Sequence, residues 1–137
     1  MTALDTVIAI DSADDIVTAR QAGRELATKL KFSLTDVTMI ATAISEVARN
    51  ISKYAGRGEI RLGVIERHGR DALIVQAVDD GPGIADIEQA LEDGFSTSSG
   101  LGLGLPGSRR LMDDFDVQSE LGAGTTVTMW KWLPSSV

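Results

Sequence analysis

The strongest constraint on the fold is an apolar strand that ends in a carboxylate and two glycines. The strand covers 72–79, and the chain runs on as Asp79-Asp80-Gly81-Pro82-Gly83-Ile84. Such residues make a turn readily, but a turn alone does not explain a carboxylate at the buried end of an apolar strand. A buried carboxylate needs a hydrogen-bond donor. Asp79 therefore suits the exocyclic amine of a nucleobase such as adenine, and the glycines would let the backbone approach a flat ring.

A second glycine-rich run, Gly100-Leu101-Gly102-Leu103-Gly104, follows later in the chain. Together with Gly107 it matches the letters of the dinucleotide fingerprint G-x-G-x-x-G, but that fingerprint requires a strand directly before it, and residues 93–99 are polar. The Walker pattern ending in Gly-Lys-Ser/Thr is absent. The run instead predicts a mobile loop that leads into a helix near Pro106, whose free N–H groups and dipole would hold phosphate oxygens.

Glu46 and Asn50 are one helical turn apart in a segment of strong helical periodicity, so both side chains point the same way. The partly exposed edge of an amphipathic helix would explain such a pair on its own. Asn is a mediocre helix former, however, and a Glu–Asn pair at this spacing adds little stability. Combined with the two glycine-rich runs, these side chains can serve a metal and a reacting group, which is the inventory of a nucleotide-handling phosphotransferase.

Composition narrows the class of protein. The 137 residues, 43% hydrophobic and 24% charged, predict one domain over 1–137 with its own core. We expect no membrane span and no leader segment, and the absence of cysteine excludes disulfides, thiol catalysis and zinc–thiolate sites. A net charge of −7 argues against a nucleic-acid-binding surface. These features favour a cytoplasmic protein that collects anions with backbone amides, helix ends and Mg²⁺.

Periodicity and turn signals predict an α+β fold, a two-layer α/β sandwich in which helices cover one face of a mixed, mainly antiparallel sheet. The predicted helices are 12–30, 33–54, a short one at 86–91, and 106–114; the predicted strands are 6–10, 59–67, 72–79, 116–120 and 125–132. His68 falls in a hairpin turn, and Trp130 and Trp132 alternate on the last strand as packing residues.

Four segments, in order, resemble the boxes of the ATP-binding fold shared by gyrase, Hsp90, sensor histidine kinases and MutL, the GHKL or Bergerat fold. They are Glu46-x-x-x-Asn50, Asp79-x-Gly81-x-Gly83, Gly100-x-Gly102-x-Gly104 and Gly124-Thr125. One box is a weak signal, whereas four in this order over nearly the full chain are a strong one. The resemblance implies that the protein binds ATP.

Within this superfamily the chain is similar to the small bacterial serine kinases that regulate sigma factors by partner switching, and in particular to the switch kinases of the stressosome. This similarity lies in segments 42–51, 92–98, 104–107, 110–113 and 131–133. It implies a kinase that transfers the γ-phosphate of ATP to serine or threonine of STAS-domain antagonist and scaffold proteins. It further implies that the released kinase binds and activates a PP2C-type phosphatase.

The resemblance also implies a role for each matching residue. Glu46 would orient or deprotonate the attacking hydroxyl, Asn50 would supply an oxygen to Mg²⁺, and Asp79 would accept from the adenine amino group. Lys53 lies where related kinases place a basic residue towards phosphate, and 100–104 would form the lid. The residues implied in nucleotide binding are Arg49, Asn50, Lys53, Asp79, Gly81, Gly83, Ile84, Gly100, Leu101, Gly102, Leu103, Gly104 and Thr125.

Three other functions stay open. An anti-sigma factor kinase shares all four boxes but also sequesters a sigma factor, and binding to sigma rather than to a phosphatase would identify it. A non-catalytic module that uses nucleotide only to set its shape has no need of Glu46 or Asn50. A detached histidine-kinase catalytic domain would have to act in trans, because the sequence contains no helical hairpin with a phosphoacceptor histidine.

Overall fold

Five strands and three α-helices make up the part of the chain that this computed structural model describes, residues 2–82 and 104–134. In chain order the elements are β1 (Thr2–Ile10), α1 (Ala13–Lys29), α2 (Leu34–Asn50), a π-helical turn (Ile51–Ala55), β2 (Gly58–Arg67), β3 (Arg70–Asp79), α3 (Gly104–Leu111), β4 (Asp114–Glu120) and β5 (Gly124–Trp132). The predicted helix at 86–91 and the predicted loop residues 93–103 lie outside the described residues. None of the helices in 2–82 and 104–134 has the length and apolarity to cross a membrane.

The strands form one sheet in the order β1-β2-β3-β5-β4, and each of its four pairings is antiparallel. The predicted two-layer sandwich with a mainly antiparallel sheet is confirmed. Strands β2 and β3 meet in a two-residue turn in which His68 and Gly69 have φ values of 54° and 76°. Positive φ at both positions gives a turn whose twist matches that of the flanking strands. His68 is thus a turn residue, as its position in the sequence predicts.

Side-chain hydrogen bonds set where α2 begins, and a glycine sets where the helical segment ends. Ser33 Oγ accepts the backbone N–H of Asp36 at 3.1 Å, which satisfies one of the free donors of the first turn. At its other end α2 passes from Asn50 directly into the π-helical turn. Gly56, at φ +85°, then reverses the chain towards β2. The predicted end near Tyr54 therefore holds, but the last turn is π-helical rather than α-helical.

The main core lies between the helices and one face of the sheet. Helix α2 supplies the apolar stripe that its periodicity predicts, and the sheet supplies the inward side chains of β2, β3 and β5. Fully buried members are Ile40, Ile44 and Val47 from α2 and Leu62, Leu73, Val75 and Met129 from the sheet. Burial of about this many large side chains is the dominant stabilising term in a domain of this size.

The opposite face of the sheet carries a smaller apolar cluster at the β2–β3 hairpin end. Ile65, Ala72 and Ile74 are buried there beneath Trp130 and Trp132. The two tryptophans share this face because alternate residues of a strand point the same way. They are packing residues, as predicted. The apolar residues of this second core lie at one end of these strands, and polar residues can occupy the other end.

Helix α3 differs from its predicted bounds. It begins at Gly104 and ends at Leu111, whereas the sequence predicts a helix from Pro106 to about Asp114. Pro106 still lies in the first turn, where its missing N–H costs no hydrogen bond. The helix ends early because Asp114 pairs with Trp130 and begins β4. This pairing ties the end of the helix directly to the sheet.

Candidate functional site

Asp79 is the last residue of β3, the central strand of the sheet, and it is half-buried at this end of the sheet. The backbone N–H of Gly81 donates to Asp79 Oδ1 at 2.9 Å. Within residues 2–82 and 104–134, Asp79 Oδ2 makes no hydrogen bond. The segment is thus a turn, and the turn holds the carboxylate through one of its two oxygens.

Close backbone packing surrounds this carboxylate. A Cβ on Gly81 would lie 2.6 Å from Ala55 Cβ, and a Cβ on Gly124 would collide with the carbonyl oxygen of Asp79. Gly124 also has a φ of +102°, a backbone conformation that residues other than glycine rarely adopt. The Asp79 turn is therefore held between the π-helical turn on one side and the start of β5 on the other.

Thr125 lies directly opposite Asp79 in the β3–β5 pairing, so the structure brings these two predicted residues together. Thr125 Oγ1 and Ser119 Oγ are 3.0 Å apart, and Ser119 Oγ also donates to Gly124 O at 3.1 Å. Sequence reasoning missed Ser119. The available signal was its place in the inward alternation of β4, where it follows Phe115 and Val117 and turns the apolar face polar at this end.

A cavity of about 900 Å³ opens at this end of the sheet, and Asp79, Ser119 and Thr125 line it. This volume is in the range of small-molecule sites. The lining continues around the sheet end to Glu59 and Thr126, which point to the face without helices. Glu46 and Asn50 are not part of the lining. The cavity therefore corresponds to the base end of the predicted site and not to its phosphate end.

Glu46 and Asn50 lie in the last turns of α2. Glu46 is only 7% exposed, although it is charged, and Asn50 is half-buried. Arg49 Nη1 donates to Glu46 Oε1 at 2.7 Å. Arg49 was predicted to bind nucleotide; its observed contact is the Glu46 carboxylate. A buried carboxylate on an otherwise apolar helix face is expensive without such a partner.

The π-helical turn connects the α2 residues to the Asp79 turn. It follows Asn50 immediately, and its last residue, Ala55, packs against Gly81. Lys53 lies on this turn, is exposed, and has its Nζ 5.3 Å from the centre of the Tyr54 ring. The sequence did not predict the π-helical geometry. Single π-helical turns are frequently found at functional sites, which agrees with this position.

The lid prediction falls mostly outside the described residues. Six of the predicted nucleotide-binding residues lie outside the described residues: Gly83, Ile84, Gly100, Leu101, Gly102 and Leu103. Gly104 is the first residue of α3. Helix α3 packs against α2, with Leu105 and Met112 buried in the main core. The start of α3 is thus fixed relative to the helix that carries Glu46 and Asn50.

The chemistry of the donor set bears on the expected Mg²⁺. No group of three or more His, Asp or Glu side chains that could hold a metal ion occurs among the described residues. Mg²⁺ in nucleotide sites is held by one or two protein oxygens together with substrate phosphates and water. Asn50 would supply one neutral amide oxygen to the ion, and the phosphates of the nucleotide would supply the negative charge.

Comparison with known proteins agrees with these features. Residues 35–135 match the family described as histidine kinase-, DNA gyrase B- and HSP90-like ATPase. The chain is 53% identical over 119 residues to serine/threonine-protein kinase RsbT of Bacillus subtilis (strain 168), covering 87% of this chain and 90% of the relative. It is 30% identical over 119 residues to an anti-sigma F factor of Caldanaerobacter subterraneus subsp. tengcongensis, covering 84% and 83%. The resemblance to the switch-kinase branch is confirmed.

Among solved structures, the chain resembles a crystal structure of the RsbU and RsbW domains of a Mycobacterium tuberculosis protein, with a TM-score of 0.61 and 16% identity. The aligned region covers 95% of this chain and 34% of the other, so the chain spans about a third of that structure. At this identity the likeness supports the fold alone.

Proposed function

The chain belongs to the family of histidine kinase-, DNA gyrase B- and HSP90-like ATPases, and from this premise we propose that it is a protein serine/threonine kinase that transfers the γ-phosphate of ATP to STAS-domain proteins. The observation that carries the proposal is the buried carboxylate of Glu46, one helical turn before Asn50 and joined through the π-helical turn to the Asp79 end of the sheet. A protein that only bound nucleotide would have no use for a buried base beside a metal ligand.

The base end of the site would hold adenine. Asp79 Oδ2 accepts a hydrogen bond from the exocyclic amino group, while the Gly81 N–H keeps the carboxylate in place through Oδ1. Thr125, opposite Asp79 and bonded to Ser119, completes the polar rim of the pocket. Gly83 and Ile84 would close the pocket from the segment that follows the turn. The cavity beside Asp79 supplies the room for a flat base.

The phosphate end would use α2 and the lid. Asn50 would supply an oxygen ligand to Mg²⁺, and the ion would supply positive charge beside the phosphates. Lys53, exposed on the π-helical turn, contacts phosphate. The lid implied at 100–104 would close over the triphosphate, and the free N–H groups at the N-terminus of α3 would favour its anionic oxygens.

Glu46 would act on the substrate hydroxyl. It accepts the proton of a serine or threonine Oγ as that oxygen bonds to the γ-phosphorus and the bond to the β-phosphate oxygen breaks, releasing ADP. The burial of Glu46 excludes bulk water from this carboxylate, which limits competing hydrolysis. Catalysis then depends mainly on positioning, as is usual in phosphoryl transfer.

We assign the substrates and the downstream partner from the relatives. The resemblance to the stressosome switch kinases implies STAS-domain antagonist and scaffold proteins as phosphoacceptors, and a PP2C-type phosphatase as the partner that the released kinase activates. The similarity to the serine/threonine-protein kinase RsbT supports that resemblance. The similarity to anti-sigma F factors favours one second candidate, a kinase that also sequesters a sigma factor. The higher identity and coverage of the first relative favour the first assignment.

The test is phosphotransfer followed by a binding comparison. The chain is incubated with γ-labelled Mg·ATP and a STAS-domain protein, and the modified residue is identified by mass spectrometry. We expect label on a serine or threonine, and binding to a PP2C-type phosphatase rather than to a sigma factor. Tight binding of a sigma factor would favour the second candidate. Calorimetric ATP binding without transfer would contradict the assignment of a STAS-domain substrate and would point to a binding switch set by nucleotide or to a different partner.

A further inference from the structure

The buried carboxylate of Glu46 has a single side-chain partner among the described residues, and that partner is Arg49. The two residues are at i and i+3 of α2, with Arg49 Nη1 2.7 Å from Glu46 Oε1. The side chain of Glu46 is 9% exposed and that of Arg49 is 45% exposed. The guanidinium therefore reaches inward from the surface to a carboxylate that solvent barely contacts.

This pair differs from an ordinary surface salt bridge. Exposed pairs at this spacing contribute little, because water solvates both partners well when they separate. Glu46 has no such alternative, since Ala43, one turn before it, and the adjacent Val47 are buried and apolar. Loss of Arg49 would leave a buried carboxylate without its hydrogen-bond donor, and the carboxylate would be free to rotate.

The contact with Arg49 involves only one of the two carboxylate oxygens of Glu46. Arg49 holds Oε1, and Oε2 has no hydrogen bond to any residue in 2–82 or 104–134. A general base needs one oxygen in a fixed place to accept a proton. Holding the first oxygen in a charge-assisted hydrogen bond fixes the rotamer and therefore the direction of the second.

We propose that Arg49 is a positioning residue that acts on the reaction through Glu46, and not through contact with the nucleotide phosphates. This inference rests on the proposed function, because it requires Glu46 to be the base. Arg49 fixes the ionised carboxylate through Oε1 and leaves Oε2 to accept the hydroxyl proton. The consequence is a loss of turnover without a loss of nucleotide affinity when Arg49 is removed.

A double-mutant cycle tests this positioning role. Arg49→Met, Glu46→Gln and the double variant are compared with the wild type for kcat, KM for ATP and calorimetric affinity for Mg·ATP. We expect Arg49→Met to lower kcat about 10- to 100-fold, the size of a misplaced reacting group, with KM and affinity unchanged. We expect no further loss when Arg49→Met is added to Glu46→Gln. Arg49→Lys should recover part of kcat, because it retains a donor and the charge.

Arg24→Met is the control for the loss of one positive charge, since Arg24 lies on α1 and forms no ion pair with a described residue. Weaker Mg·ATP affinity in Arg49→Met, in both Glu46 backgrounds, would overturn the inference and assign Arg49 to the nucleotide. An unchanged kcat with a lower unfolding midpoint would also overturn it, because the pair would then serve stability alone.

The design separates this inference from the proposed substrate. If the wild type labels no STAS-domain protein, the substrate assignment fails, and the same cycle is measured on ATP hydrolysis, with water in place of the serine hydroxyl. Coupled losses of hydrolysis in Arg49→Met and Glu46→Gln would then support the positioning role. Independent losses of hydrolysis in the two variants would overturn it.

Discussion

At the scale of single residues, the two carboxylate oxygens of Asp79 differ in their contacts with the described residues. The Gly81 N–H occupies Oδ1 at 2.9 Å, and within residues 2–82 and 104–134 Oδ2 has no partner. Because Asp79 is half-buried, a hydrogen bond donated to Oδ2 would be stabilising, since an unpaired acceptor away from water is costly. A nucleobase amino group would supply that donor.

Asp79→Asn should abolish nucleotide binding with little loss of fold. Asparagine keeps an oxygen for the Gly81 N–H but places an NH₂ donor against the donor of the base. We expect Mg·ATP affinity to fall about 10²-fold or more, measured by calorimetry, with an unchanged thermal unfolding midpoint. Asp80→Asn, one residue away and exposed, should retain affinity. Unchanged affinity in Asp79→Asn would contradict the adenine assignment.

Gly124 is the residue whose replacement should disturb the site through the backbone. An alanine there combines a φ of +102° with a collision between its Cβ and the Asp79 carbonyl, and should cost about 2–4 kcal/mol of unfolding free energy. Gly122→Ala is the matched control. Gly122 has a φ of +80°, but a Cβ added there would meet no atom within 4 Å, so its cost should be about 1–2 kcal/mol.

Urea denaturation measures both glycine variants. Equal losses in Gly122→Ala and Gly124→Ala would show that backbone strain alone accounts for the effect, and that the close approach of β5 to Asp79 contributes nothing.

At the scale of elements, a buried lysine connects α3, α2 and the sheet. Lys131 on β5 is 8% exposed, and its Nζ donates to the carbonyl of Leu111 at the end of α3, at 2.9 Å. Asp36 in the first turn of α2 and Asp113 after α3 lie 3.9 and 3.6 Å from the same ammonium. The end of the helix that follows the predicted lid is therefore fixed to both layers.

Lys131→Met should loosen α3. Methionine fills a similar volume but leaves the Leu111 carbonyl without its donor, so we expect a loss of about 1–3 kcal/mol in unfolding free energy. Faster amide hydrogen exchange should be confined mainly to α3. Lys29→Met, at an exposed position in the last turn of α1, controls for the lost charge and should change neither quantity. Unchanged protection of α3 in Lys131→Met would contradict this anchoring role.

At the scale of the whole molecule, the site is assembled from elements distant in the sequence. The end of α2, the π-helical turn, the end of β3 and the start of β5 meet at one end of the sheet. The opposite end of the same strands carries the tryptophan cluster. The proposed nucleotide site thus lies at the polar end of the sheet, and the second core lies at its apolar end.

Much of the fold and part of the candidate site could be predicted from local signals in the sequence. Helical and strand periodicity identified the elements, and the Asp79 and Thr125 boxes are indeed opposite one another. The π-helical turn could not be predicted, because packing of Ala55 on Gly81 accompanies it and that contact is long-range. Ser119 was missed because its partner Thr125 lies across a strand pairing.

Arg49 shows a different limit of sequence reasoning. Its spacing from Glu46 permits an ion pair, but nothing local indicates that Glu46 is buried. Burial depends on how α2 packs against the sheet and α3, and it is what makes the Arg49 contact matter. The resemblance placed Arg49 with the nucleotide, whereas the structure pairs it with the proposed base.

The most direct test of the kinase mechanism is the rate of phosphotransfer from Mg·ATP to a STAS-domain protein by Glu46→Gln, with nucleotide affinity measured on the same sample. Glutamine preserves the shape of the buried side chain but cannot accept the hydroxyl proton. We expect unchanged Mg·ATP affinity and a rate about 10²–10⁴-fold below that of the wild type, the usual size of general-base catalysis. A wild-type rate in this variant would contradict the role of Glu46 as the base.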